Sequence, residues 1–133
     1  MDAALLTVFV IDSLVRVFPT TTAPEKPIRE IVVWSACNEY ESAQIGLRTR
    51  KAVEVSVEIS PLRDEEGREL PSERQAWHFL GGIPLEKNTP VSDPRFLSCT
   101  APCEVLDPLR ADRTWKVQPG RTEVLWLTFW IPR

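Results

Sequence analysis

Twelve prolines are spread along this 133-residue chain, and they limit the secondary structure that it can form. A proline inside a helix removes a backbone donor and clashes with the preceding turn, so few windows remain for a stable helix. Apolar residues recur instead at every second position, most clearly at Val53, Val55, Val57 and Ile59. That spacing is typical of a strand with one face in the core and one in water. The sequence therefore predicts an all-β fold.

Further strands are predicted where short apolar runs are bounded by turn residues. They cover residues 6–11, 28–34, 77–80 and 124–131. In residues 39–51 helical and strand spacing fit equally well, and we expect a turn at 38–41 followed by a strand. Residues 81–119 are rich in proline and are expected to form long extended connections over a sheet edge, with short strands as an alternative within them. Proline there also hinders edge-to-edge pairing. Many short strands with turns between them favour an antiparallel β-sandwich.

The composition bounds the class of protein. We expect one domain over residues 1–133, because this length suits a single hydrophobic core. Sixteen basic and nineteen acidic residues give a net charge of −3 without a clustered basic face, which argues against nucleic acid as a partner. One histidine, His78, and three cysteines without a CxxC motif argue against a structural metal site. We expect no cofactor.

The N-terminal apolar run, residues 3–11, follows Asp2 rather than a basic segment and has no small-residue cleavage site after it. The run is also too short to cross a bilayer. We therefore expect a buried strand rather than a signal peptide, and no membrane as a partner. Cys99 and Cys103 can pair across three residues and leave Cys37 free, but this pairing does not identify the compartment.

The segment 124–131 is apolar at both parities of the strand alternation. A strand that is apolar on both faces is expected to be covered on both. The chain stops two residues later, at Pro132 and Arg133, whereas natural chain ends are usually polar. We therefore expect a boundary with a following domain, against which Trp126 and Trp130 pack.

Several short motifs occur in the order found in one known kind of domain. They are residues 12–18 (DSLVRVF), 34–44 (WSACNEYESAQ), 107–109 (DPL), 119–120 (PG), 125–128 (LWLT) and 131–132 (IP). This ordered set spans nearly the whole chain and resembles the N-terminal domain of glycoside hydrolase family 123-like proteins. Cys37 departs from the resemblance, because that family usually has a basic residue there.

The resemblance implies an immunoglobulin-like antiparallel β-sandwich placed before a TIM-barrel catalytic domain. In that family the barrel hydrolyses β-linked N-acetylgalactosaminides, using an Asp–Glu pair and the acetamido group of the substrate. No residue of this chain corresponds to that pair. The resemblance therefore predicts a non-catalytic accessory domain whose partner is the downstream catalytic domain of the same polypeptide.

Glu39 and Glu41 are the carboxylates that a catalytic interpretation would use, because glycosidases flank the scissile bond with two carboxyl groups. On a strand they face one side with Tyr40 opposite, and nothing near them in the sequence supplies a cleft. We expect a structural turn and scaffold formed by Asn38, Glu39, Tyr40 and Gln44. No serine, cysteine or histidine lies in a nucleophile motif, so the chain is not expected to be an enzyme.

Five tryptophans are many for this length. Exposed aromatic rings can stack on sugars, so a carbohydrate-binding module that recognises glycans, including those with N-acetylgalactosamine, is the alternative function. Packing in the core or against another domain is favoured, because Trp34, Trp126 and Trp130 lie in strongly apolar segments. Trp115, close to Arg113 and Lys116, is the best candidate for an exposed glycan platform.

Overall fold

The computed structural model describes residues 5–91 and 93–133, which contain nine strands and two short 3₁₀ helices. The strands are β1 (Leu6–Ile11), β2 (Glu39–Thr49), β3 (Val53–Ser56), β4 (Leu62–Arg63), β5 (Glu69–Leu70), β6 (Gln75–Leu85), β7 (Cys103–Arg110), β8 (Thr114–Val117) and β9 (Thr122–Ile131). The helices span Ser72–Arg74 and Pro94–Phe96. Asp2 and the first residues of the N-terminal apolar run, used above against a signal peptide, lie outside the described residues.

Five of the strands form one antiparallel sheet in the order β1-β2-β9-β6-β7. The central strand, β9, pairs with β2 from Ile131 opposite Glu39 to Thr122 opposite Arg48. A second layer consists of β3 paired with β8, and β4 and β5 form a very short ladder. The predicted all-β antiparallel sandwich is confirmed. Its two layers are unequal, with five strands facing two.

The main core lies between the inner face of the five-stranded sheet and the β3–β8 layer. The buried residues of this core are Ala43, Leu47, Phe79, Val117, Leu125, Leu127 and Phe129. The odd-numbered residues of β9 thus point inward. Because successive strand residues point to opposite faces, the even-numbered residues of β9 lie on the outer face.

The outer face is covered at one end by the connection between β1 and β2. A second cluster there contains Val17, Leu80, Leu106 and Val124. Phe9 lies over Gly46, where a Cβ atom would overlap the Phe9 ring, so this close approach requires glycine. The Thr122 backbone N–H donates to the Pro19 carbonyl at 2.8 Å and fastens the connection to β9.

The strand predictions at 6–11 and 124–131 are confirmed as β1 and β9, but the strand predicted at 28–34 is wrong. This segment runs beside the edge strand β1 and makes one backbone hydrogen bond to it, from Val10 N–H to the Ile28 carbonyl at 2.7 Å. Ile31 packs against the main core, whereas most of its apolar neighbours are exposed. Alternation alone did not produce a strand, because a strand also needs a ladder of backbone partners.

Residues 81–119 contain more strand than the sequence predicts. β6 continues to Leu85, and both β7 and β8 lie within this stretch. β7 tolerates Pro108 because it is an edge strand, where a missing N–H leaves no ladder partner unsatisfied. The β6–β7 register also shifts between Leu80 and Gly82, opposite the step that contains Pro108.

Candidate functional site on the outer sheet face

An uncharged strip lies on the part of the outer face that the β1–β2 connection leaves open. We call it the aromatic band, and it consists of Tyr40, Ser42, Ala76, Thr128 and Trp130. The strand register places Tyr40 opposite Trp130, and Thr128 between Ser42 and Ala76. Tyr40 is 69% exposed and Trp130 is half-buried. Their ring centroids are 4.7 Å apart, and the ring planes are tilted by 46°.

Beside the band lies an open groove with a volume of about 370 Å³. Buried side chains of Val17, Gln44, Leu80 and Leu106 form its floor, and Trp126 of β9 lines it. Residues 13–16 form one rim, and Asp107 and Leu109 of β7 form the other. Across the opening, Arg16 Nη1 lies 3.9 Å from Asp107 Oδ1, and both side chains are largely exposed. The sequence prediction grouped Trp126 with Trp130, but the structure places them in adjacent sites.

Gln44 holds the rim loop of the groove in place. Its buried side-chain Nε2 donates to the carbonyl of Asp12 at 2.8 Å and to that of Val15 at 2.9 Å. The sequence predicted that Gln44 supports the turn before β2, whereas the hydrogen bonds of its side chain run to the loop at residues 12–15. The β1–β2 register brings Gln44 opposite Ile11, next to Asp12. The only sign of this role in the sequence was the polar residue Gln44 within a predicted strand.

We expect Gln44→Leu to destabilise the chain by about 2 kcal/mol, because two part-buried hydrogen bonds from the buried Gln44 amide to the rim loop are lost. Backbone amides of residues 12–17 should also exchange faster with solvent. Urea unfolding and hydrogen exchange measure the two effects. Ser42→Ala is the matched control, since Ser42 lies on the same strand and face and has no side-chain hydrogen bond within the described residues. Equal stability of the two variants would show that Gln44 does not hold the loop.

The turn before β2 has the structural character expected of it. Asn38 adopts a left-handed conformation with φ of 66°, which asparagine tolerates better than most residues. Its backbone N–H donates to the Ile131 carbonyl at 2.8 Å, and the Glu39 carboxylate accepts from the Ala36 backbone N–H. The strand begins at Glu39, earlier than predicted, so Tyr40 belongs to the aromatic band rather than to the turn.

Trp115 is not the exposed platform that the sequence predicts. Its ring stacks on Phe79 with centroids 5.6 Å apart and planes 18° apart, and Arg110 lies over the ring. The pairing of β8 with β3 carries Trp115 over the main core. Trp34 shows the opposite error, because it was expected to pack and is 86% exposed. The segment that carries Trp34 does not join the sheet.

His78 lies opposite Trp126 on the outer face and is half-buried. Its Nδ1 atom is buried without a hydrogen-bond partner among the described residues. No serine or cysteine is shown to hydrogen-bond to it in this part of the chain. The sequence prediction that it serves as no catalytic base is consistent with this environment, but is not tested by it.

A charged cluster lies at the start of β9, away from the groove and the band. Arg121 Nη2 lies 2.9 Å from Glu104 Oε1, and Arg121 Nε forms an ion pair with Glu123 Oε1 at 2.8 Å. Burial raises the pKa of Glu123, and the charge of Arg121 opposes that increase. The hydrogen bond to Glu104 raises the pKa of Arg121. None of these three residues is among those that line the groove.

Within residues 5–91 and 93–133, no three His, Cys, Asp or Glu side chains are grouped so that they could hold a metal ion. No helix in the same part of the chain has the length and apolar character needed to cross a membrane. Cys99 and Cys103 form a disulfide, and Cys37 is a free, exposed thiol.

Neither a protein-family model nor a curated protein sequence matches this chain. The resemblance to family 123-like N-terminal domains therefore rests on the ordered motifs alone and stays a prediction. The two neighbouring features of the outer face, the aromatic band and the groove, are the surfaces on which a partner or ligand could act.

Proposed function

We propose that this chain is a non-catalytic accessory domain of a carbohydrate-active protein. In this proposal its aromatic band packs against the catalytic domain of the same polypeptide and supports that domain. The observation that carries the proposal is the band itself. The chain's own connection covers one end of the outer face, whereas Tyr40 in the band is exposed and Trp130 beside it is half-buried.

The chemistry of the band suits contact with another protein surface. The central parts of protein interfaces are enriched in Tyr and Trp and depleted of charged residues. The five residues of the band include no acidic or basic side chain. Their tilted rings do not share one plane, so they fit a contoured protein surface better than the flat face of a sugar.

The distribution of carboxylates supports a non-catalytic role. Glycoside hydrolysis requires two carboxyl groups placed on either side of a scissile bond. Among the described residues, the groove has one carboxylate in its lining, Asp107. Glu104 and Glu123 are engaged by Arg121 at a separate location. Glu39 is engaged by the turn before β2.

The link to carbohydrate-active proteins is supported by where the resembling motifs lie. The motif over residues 34–44 supplies the turn and the first half of β2, and the motif over 125–128 lies within β9. These two strands carry Tyr40 and Trp130. Three of the five band residues, Tyr40, Ser42 and Thr128, thus lie within the motifs that produce the resemblance.

The proposal is tested with the polypeptide that the gene encodes beyond Arg133. We expect Tyr40→Ser combined with Trp130→Ala to weaken the contact between the domains by about 2 kcal/mol or more, as for central interface aromatics. In the longer polypeptide, the two substitutions should reduce the protection of the β2 and β9 backbone amides from hydrogen exchange, relative to the unsubstituted protein. The same substitutions in the isolated chain give the baseline for their effect on folding.

Phe96→Ser is the matched control, because Phe96 is an exposed aromatic residue in the connection between β6 and β7. It should leave the protection of β2 and β9 unchanged. Unaltered protection in the band variant would contradict the proposal, as would a reading frame that encodes no further domain. The alternative, glycan binding, loses its predicted platform at Trp115 but gains support from the groove.

A further inference from the structure

We propose that the groove is a binding site for one neutral pyranose residue, which stacks on Trp126 and is held by Arg16 and Asp107. This site is separate from the aromatic band, and the inference does not rest on the accessory role. It differs from the sequence prediction in its location, because Trp115 is packed over the main core.

The shape of the groove suits a ring with one apolar face and a polar edge. A volume of about 370 Å³ has room for a single sugar ring with some bound water. Leu80 and Leu106 give the floor an apolar surface, and half-buried Trp126 contributes an aromatic ring. A pyranose presents C–H groups on its face and hydroxyls around its edge. The apolar lining and the polar rim therefore correspond to the two parts of the ligand.

The charges on the rim favour a neutral ligand over an ion. Arg16 and Asp107 are 3.9 Å apart, a separation too long for a hydrogen bond. Their opposite charges offset each other, so neither an anion nor a cation gains a strong net attraction. The guanidinium still offers donors and the carboxylate still offers acceptors, and hydrogen bonds to charged groups are the stronger kind. Adjacent hydroxyls of a sugar can use both.

The rim is held in position before a ligand arrives. Gln44 fixes the carbonyls of Asp12 and Val15, and the Asp12 carboxylate accepts the Leu14 N–H at 2.8 Å. The opposite rim is part of β7, which is paired with β6. A site whose walls are already ordered loses less conformational entropy on binding. This supports a binding role even for a ligand as small as one sugar ring.

The test is a two-dimensional ¹H–¹⁵N NMR titration of the intact chain. The probes are the methyl β-glycosides of N-acetylgalactosamine, galactose, glucose and mannose, with inorganic phosphate and adenosine as an anionic and a flat aromatic comparison. For the best sugar we expect saturable shifts of the Trp126 indole N–H with a Kd on the order of 1 mM. Phosphate and adenosine should give no saturable shift there.

Two exposed rim variants decide the site without disturbing the core. Asp107→Ala and Arg16→Ala should each weaken sugar binding about tenfold, the usual effect of losing a hydrogen bond to a charged group. Trp126→Ala should abolish binding, and Trp126→Phe should retain a weakened form of it. Trp130→Ala is the matched control and should leave sugar affinity unchanged while it weakens the domain contact.

Three results would overturn the inference. The first is the absence of a saturable shift with every sugar at tens of millimolar. The second is sugar binding that both rim variants leave unchanged, which would place the ligand elsewhere. The third is tighter binding of phosphate or adenosine than of any sugar, which would assign the groove to a different ligand class. None of these results bears on the band, whose role is measured with the longer polypeptide.

Discussion

Replacing Phe79 with alanine is expected to destabilise this chain by about 4 kcal/mol, within the range for large aromatic residues removed from cores. Phe79 is 0% exposed, and its ring contacts the rings of Trp115 and Trp77 between the two layers. Its removal leaves a cavity that strands paired on both sides can fill only in part. Urea unfolding, monitored by tryptophan fluorescence, measures the loss of stability.

Phe96→Ala is the matched control for this prediction. Phe96 is 83% exposed, and its substitution should change stability by less than about 0.5 kcal/mol. A loss below about 1 kcal/mol for Phe79→Ala would mean that the β3–β8 layer does not share a tightly packed core with the sheet. The core and the aromatic band lie on opposite faces of β9. Phe79→Ala should therefore lower the stability of the chain without removing any side chain of the proposed docking surface.

Replacing Arg121 with methionine is expected to destabilise the chain by about 3 kcal/mol at neutral pH, since removing one partner leaves a buried charge uncompensated. Glu123 is 4% exposed and would lose its ion pair with Arg121. The value lies at the low end of the usual range, because Arg121 and Glu104 retain about a third of their side-chain exposure. Urea unfolding at several pH values provides the measurement.

The pH dependence of this loss follows from the raised pKa of Glu123. Burial, its largest cause, places the folded-state pKa of Glu123 above the ordinary value of a glutamate carboxyl. A raised carboxyl pKa contributes stability below the unfolded-state pKa, and that contribution is lost as the pH rises through the folded-state pKa. Without Arg121 the folded-state pKa should rise further. The difference in free energy of unfolding between Arg121→Met and the unsubstituted chain should therefore narrow as the pH falls from neutral toward the unfolded-state pKa of Glu123.

Arg68→Met is the control for the charge itself. Arg68 also pairs with two carboxylates, Asp64 and Glu66, but all three side chains are exposed in the turn between β4 and β5. Exposed ion pairs contribute little to stability, so this variant should remain close to the unsubstituted chain at every pH. If the stability that Arg121→Met loses stayed constant with pH, the role assigned to Glu123 would be contradicted.

The proposed docking surface and the proposed sugar site give variants with opposite outcomes. Trp130→Ala is expected to disturb the domain contact and to spare the groove, whereas Asp107→Ala is expected to do the reverse. Both residues lie on the outer face or its rim, so neither substitution enters the main core. Either proposal can therefore fail while the other stands.

Much of the fold could be predicted because strand alternation is a local property. A period of two over residues 53–59 predicts a strand with two distinct faces, and the run 124–131, apolar at both parities, predicts a strand covered on both faces. The structure has both strands, although β3 ends at Ser56. Twelve prolines exclude long interior helices for an equally local reason. The all-β sandwich, the polar turn at Asn38 and the two-sided character of β9 were therefore determined by the sequence itself.

Only the tertiary structure decided which residues meet. The pairing of β8 with β3 places Trp115 over the main core. Trp34 is exposed because residues 28–34 form no ladder with the sheet. The β1–β2 register places Gln44 beside the loop at Asp12. The groove likewise requires that this loop lie across the sheet from β7. These arrangements depend on contacts between residues far apart in the chain. Spacing along a strand determines the face on which a side chain lies, but not what covers that face.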